Sequence, residues 1–185
     1  RYGIAKYDNP EELSVSDRNN IGYQYTDCPL YWISVIYLNF AEAKAEMGSL
    51  TQDDLNNSIN KLQARAGLPA MTTTPDADPA NNMGVSNLIW EIRRCRRCEL
   101  IMDNWYRYWD LIRWHQLDKL DSTKYPNTML GANVSNVPDC EEATKNGYID
   151  ASDAQIRTYE AKHYFYPIPT TQLTLNKNMK QNPGW

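Results

Sequence analysis

The sequence predicts a mainly α chain, built from helix pairs with long irregular loops between them. Two observations predict it. Apolar residues recur at three- and four-residue spacing over 31–47, 55–66 and 88–102, as a buried helix face requires. The stretches at 69–85 and 120–158 hold no sustained period and are punctuated by Pro, Gly or Asn.

Residues 1–30 are polar, with Tyr2, Tyr7, Tyr23 and Tyr25 scattered among Asp, Asn and Gly, and read as an irregular approach segment. Residues 31–67 read as a helix pair. In its first helix Ile33, Ile36, Leu38, Phe40, Ala41, Ala43, Ala45 and Met47 fill much of the surface, and Gly48 stops it. Thr51 and Asp54 form a capping pair for a second helix to about Ala66, with Leu55, Ile59, Leu62 and Ala66 as its stripe. Gly67 supplies the left-handed residue, Leu68 the hydrophobic contact and Pro69 the stop. A pair of about 36 residues has the size of one tetratricopeptide-type repeat, although no second clear copy follows.

After the 69–85 loop, Ser86 caps a helix to about Met102 whose seam runs through Leu88, Ile92, Cys95, Cys98 or Glu99, and Met102. Arg93, Arg94, Arg96 and Arg97 read as a solvated or salt-bridged face beside Glu91 and Glu99. Asp103-Asn104 breaks it, and a second helix follows from Trp105 to Lys119, so that 86–119 reads as paired helices. Residues 120–163 read as a loop excursion. The segment 164–185 is an extended closing stretch by its prolines, with one helical turn near Thr171–Leu175.

Composition narrows the function. The chain has 185 residues, 19 basic against 23 acidic, for a net charge of −4. That balance argues against a nucleic-acid partner, which would need a basic face. Mean hydropathy is −0.69, and no apolar run approaches the roughly 20 residues of a membrane helix. The aromatic split, 13 Tyr and 6 Trp against 2 Phe, suits surfaces that are both sticky and wet, such as a sugar cleft, or the margins of a helical core. The chain opens at Arg1 with no apolar leader, which leaves the compartment open and reads as a fragment or processed piece.

Cys28, Cys95, Cys98 and Cys140 read as structural thiols ahead of a disulfide. Cys95-x-x-Cys98 alone is half a zinc site, and His115 and His163 lie far apart, so no metal and no cofactor is expected. The Asp76-x-Asp78 pair lacks the Gly and terminal Glu of a calcium loop. No nucleophile–base motif is visible, so the chain is read as a non-enzyme. Two other classes stay open: a glycoside hydrolase working with two carboxylates, and a helical-repeat protein-interaction module.

Four stretches carry a resemblance. Tyr37-Leu38-Asn39-Phe40-Ala41-Glu42-Ala43, Ile59-Asn60-x-Leu62-x-Ala64-Arg65-Ala66-Gly67-Leu68-Pro69, the block from Ile92 to Leu100 with Arg107 to Trp114, and Phe165 to Pro169 with Gln181 to Trp185 occur in one order. Together they resemble the C-terminal part of the SusD/RagB family, outer-membrane nutrient-binding lipoproteins of Bacteroidetes. The resemblance covers about residues 29–185. It implies an all-α fold with long loops and a surface protein that captures oligosaccharide or polysaccharide, or peptide in RagB-like branches. It implies delivery to a SusC-type TonB-dependent transporter. It also implies a lipid anchor on the extracellular face of the outer membrane, through an N-terminal half that these residues lack.

In that family the ligand contacts lie largely before the Tyr37–Ala43 helix. Tyr23, Tyr25 and Tyr31 are therefore the ligand candidates, unless they pack on the absent half. Arg107 and Asp110 are assigned to the fold, paired with each other or with the closing segment. Trp32, Val35 and Cys95 occupy positions where the family often places Arg, Glu and Glu. They are expected to form one apolar contact between the 31–48 and 86–102 helices.

Overall fold

The computed structural model describes residues 14, 16–17, 30–103, 105–137, 144–150 and 155–185. It is mostly helical and divides into two compact units, Ile4–Arg107 and Tyr108–Trp185 with Arg1–Gly3.

In the first unit, helix α1 (Ile33–Glu46) closes at Gly48, whose φ of 66° is the left-handed geometry glycine adopts freely. The second helix of the pair is two helices. Thr51 and Asp54 form a reciprocal capping box that starts α2 (Gln52–Asn56). Ser58 then donates its hydroxyl to the Asp54 carbonyl at 2.6 Å, a local bond that competes with the backbone ladder, and α3 (Ile59–Arg65) begins afresh. Gly67, at φ 68°, ends α3, with the Leu68 amide donating to the Gln63 carbonyl at 2.9 Å. The expected hydrophobic contact at Leu68 is absent, because its side chain is exposed.

Ser86 caps α4 (Asn87–Glu99) by accepting from the Ile89 amide. This helix stops at Leu100, three residues before the expected break. Met102 is turned out at φ 65° and is exposed, so the seam is Ile89, Ile92 and Cys95 without Met102 or Cys98. The core of the unit joins Val35, Leu38 and Ala41 of α1, Leu55 of α2, Ile59 and Leu62 of α3, Met71, and Ile92, Cys95 and Leu100. Trp32 packs against it. Buried Asn60 pins the following loop, accepting from the Met71 amide at 2.7 Å and donating to its carbonyl at 3.1 Å.

Arg93 and Arg94 of α4 are salt-bridged, as one of the two expected readings has it, whereas Arg96 departs from both. Arg96 is buried, with Nη1 donating to Asn39 Oδ1 at 2.8 Å and its guanidinium over the Tyr106 ring. Arg93 reaches Glu42 and Glu46 of α1 at 3.3 and 3.0 Å, and Arg65 of α3 grips both oxygens of Glu99 at 2.6 and 2.7 Å. Polar bonds thus tie α4 to both members of the preceding pair.

Helix α5 (Tyr106–Arg113) leads into the second unit and ends well before Lys119. His115, at φ 53°, closes it, with the Gln116 amide donating to the Leu111 carbonyl at 2.8 Å; a 3-10 turn follows over Leu117–Leu120. Leu111, Trp114 and Leu117 are buried. The excursion contains a small antiparallel sheet in the order β1 (Leu130–Asn133), β3 (Tyr148–Asp150), β2 (Thr144–Lys145). Asn146 and Gly147, at φ 53° and 78°, make the tight turn between β2 and β3.

A helical turn, α6 (Thr170–Leu175), interrupts the closing segment. Gln181 bonds both the amide and the carbonyl of Ile168 at 2.8 and 2.9 Å, Asn182 donates to the Tyr166 carbonyl, and Trp185 Nε1 donates to the Phe165 carbonyl at 2.9 Å. The terminal residues therefore clasp the Phe165–Pro169 stretch. Among the described residues no helix is long and apolar enough to cross a membrane.

Candidate functional site

Asp121 builds a cleft in the second unit. Its buried carboxylate accepts from the Thr123 amide and hydroxyl at 2.9 and 2.5 Å, and from the Tyr159 amide at 3.2 Å. The Thr123 hydroxyl, followed by the backbone donors, holds that carboxyl below the usual range. Next to it, the Ser122 amide donates to the Arg157 carbonyl and the Arg157 amide returns a bond to Ser122 Oγ, each at 2.9 Å. These bonds lay the 121–123 turn beside residues 157–159.

Between these two segments and the sheet lies a partly open cleft of about 210 Å³. Met129, Leu130 and Ile156 give it apolar surface, while Lys145, Asp150 and Gln155 bring a cation, a carboxylate and an amide. Pairing of Leu130 with Asp150 across β1 and β3, and the tight turn after Lys145, fix the sheet side. Among the described residues its lining adds the hydroxyl-bearing Ser122 and Thr123 and holds no His, Cys or Tyr. It offers donors and an acceptor over an apolar floor, which suits a ligand rich in hydroxyl groups.

The second unit also exposes a shelf of rings. Tyr108 and Trp109 meet edge to face at 5.6 Å, and the Tyr108 hydroxyl lies 3.3 Å from that of Tyr166. That hydrogen bond raises the Tyr108 pKa. Trp109, Phe165 and Tyr166 are all exposed.

Of the ligand candidates read from the sequence, Tyr23 and Tyr25 lie outside the described residues. Tyr31 stands in the first unit, 89% exposed, just before α1. The cleft was missed by sequence reasoning. Asn146-Gly147 between two short β-prone runs was a legible hairpin signal, and it would have placed Lys145 on a strand. Nothing in the sequence marks Asp121 as the residue that gathers the rim.

Asp110 is buried and accepts from Arg113 Nε at 2.9 Å; Arg107 is half-buried. Val35 and Cys95 lie in the core of the first unit. Burial pushes the Cys95 thiol up to about 12, and Gln63 Nε2 lies 3.9 Å from its sulfur. Cys95 and Cys98 are both free thiols, the second exposed, while Cys28 and Cys140 lie outside the described residues. Among the described residues no cluster of three or more His, Cys, Asp or Glu could hold a metal ion.

The model of the SusD family matches residues 1–185. Among solved structures, the fold is similar to that of a SusD-like protein from Bacteroides fragilis, with a TM-score of 0.55 and 24% identity. The match covers 82% of this chain and 25% of that one, so the chain spans about a quarter of that protein's length. No curated protein matches.

Proposed function

The chain belongs to the SusD family, and on that premise we propose that it is part of a surface protein that captures oligosaccharide and passes it to a SusC-type TonB-dependent transporter. The single observation carrying this reading is the family match over the whole chain. The 185 residues are the C-terminal region of such a protein, which sits on the extracellular face of the outer membrane through a lipid anchor. Capture occurs without cleavage. Within this region, ligand contact falls to Tyr23, Tyr25 and Tyr31 before α1. The Lys145–Asp150–Gln155 cleft supplies hydrogen bonds of the kind sugar hydroxyls need.

Affinity gels containing plant or host polysaccharides, run beside a reducing-end assay, test this. Retardation without released sugar is the expected result, and product formation would replace capture with hydrolysis. Retention of peptides instead of glycans would move the ligand class to the RagB-like branch. In the same gels Lys145→Ala with Asp150→Ala should weaken retardation; unchanged migration would remove the cleft from the ligand path.

A further inference from the structure

The cleft beside Asp121 has an uneven hydrogen-bond balance. Its two hydroxyl groups have committed their protons to the protein. Thr123 donates to Asp121 Oδ1 at 2.5 Å, and Ser122 donates to the Arg157 carbonyl at 3.3 Å. Toward the cleft they can offer lone pairs. Asp150 already has an interaction within the chain. Lys145 and Gln155 differ: both line the cleft and are exposed, and among the described residues neither has a partner. The uncommitted groups are therefore N–H donors, and the uncommitted charge is positive.

Sheet register explains the placing of that charge. Lys145 of β2 stands opposite Tyr148 of β3, and Leu130 of β1 stands opposite Asp150. Side chains alternate along a strand, so Tyr148 and Asp150 share one face, and Lys145 and Leu130 share it with them. No ion pair joins Lys145 to Asp150. The sheet thus presents a free ammonium group next to apolar surface, in a chain whose net charge of −4 repels anions elsewhere.

We propose that this cleft takes an acidic sugar, one ring of a uronic-acid-containing glycan. Its carboxylate meets Lys145 and Gln155, and the C–H face of the ring lies on Met129 and Leu130. Asp150, Ser122 and Thr123 accept from the ring hydroxyls. A lysine ammonium to carboxylate contact is charge-assisted, and a neutral sugar would leave that charge unanswered. The size agrees. At about 210 Å³ the cleft falls below the roughly 300–1,000 Å³ of drug-sized sites, so it holds one ring of a chain and not several.

The inference rests on the proposed capture of glycans by this chain. Affinity gels are cast with polygalacturonate, alginate or hyaluronate, each beside its methyl ester, which keeps the rings and removes the charge. Neutral polysaccharides and a pair of dextran and dextran sulfate complete the panel. At least one uronate should hold the chain about three-fold or more tighter than its ester. Lys145→Gln, a change at an exposed position, should abolish that difference, and Lys145→Arg should keep it. The difference should also shrink as salt is raised. Retardation by no member of the panel would sink the capture reading itself. Esters or neutral glycans held as tightly as the uronates would overturn the acidic-sugar assignment alone. A uronate preference that survives Lys145→Gln would place the acid outside this cleft and overturn the proposal. So would a preference confined to dextran sulfate, which would make the anion a sulfate ester.

Discussion

Arg93 holds Glu42 across the α1–α4 packing, with Nε 3.3 Å from Oε1 and only 11% and 5% of the two side chains exposed. An ion pair so shielded contributes through completeness, because each charge left alone inside would face desolvation without compensation. The Asn39–Arg96 bond lies one helical turn away on α1. These two bonds give a physical reason for the Asn and Glu of the Tyr37–Ala43 stretch, and for two of the four arginines.

Glu42→Leu leaves Arg93 its Glu46 partner, so it should destabilise the protein by about 2–4 kcal/mol, at or below the range for a fully stranded buried charge, and Arg93→Met by a similar amount. The double variant should lose clearly less than the sum, since no charge is stranded. Urea denaturation of the four proteins gives the coupling. Additive losses would show that the pair is not one unit.

Asp110 belongs to the same class on a smaller scale. Its carboxylate is buried while Arg113 is 44% exposed on its side chain, so the arginine can keep partial hydration if its partner goes. Asp110→Ala should lower stability by about 1–3 kcal/mol, the cost of unmaking a buried hydrogen-bonding group. An unmoved melting temperature would mean that the site is open to solvent.

Asp121 makes a pH-dependent contribution to the cleft. Its folded pKa lies below the 3.8 of an ordinary aspartate, chiefly through Thr123, so the folded state favours the carboxylate more than the unfolded state does. The contribution is thus present above pH 3.8 and is lost as pH falls through the folded value. The melting-temperature gap between the parent and Asp121→Asn should be open at pH 7 and narrow toward pH 2. A gap that is constant with pH would assign the effect to shape and not to charge.

Much of the helical architecture was legible because its signals are local. Thr51 with Asp54, Ser86 and Gly67 announce helix ends through bonds spanning three to five residues, and the structure makes those bonds. What was not legible depends on distant groups. Ser58 splits a continuous apolar stripe by one hydroxyl bond, and no periodicity reports it. The placing of half-buried Arg93 and buried Arg96 depends on Glu42 and Asn39, 51 and 57 residues away. The cleft combines Asp121, Tyr159 and a hairpin that a search for helical periods passes over.

Cys95 supplies the last prediction, because its thiol sits in the core of the first unit. Val35 and Ile92 share its core, Trp32 packs against that core, and the thiol is 9% exposed. Burial raises its pKa from 9.0 to about 12, so hardly any reactive thiolate exists near neutral pH. Maleimide should therefore modify exposed Cys98 quickly and Cys95 slowly in the native protein. Stability follows the same shift. The folded state holds this proton more tightly than the unfolded state, so the contribution is whole below pH 9 and is lost as pH rises toward 12. Cys95→Ala, although less stable near neutrality through the cavity it leaves, should lose less stability than the parent over that alkaline window. Cys95→Glu places an ionisable group in an apolar contact, and should cost more than about 2 kcal/mol at pH 7. If Cys95→Glu is as stable as the parent, or if Cys95 labels as fast as Cys98, the contact is not the closed apolar seam described for it.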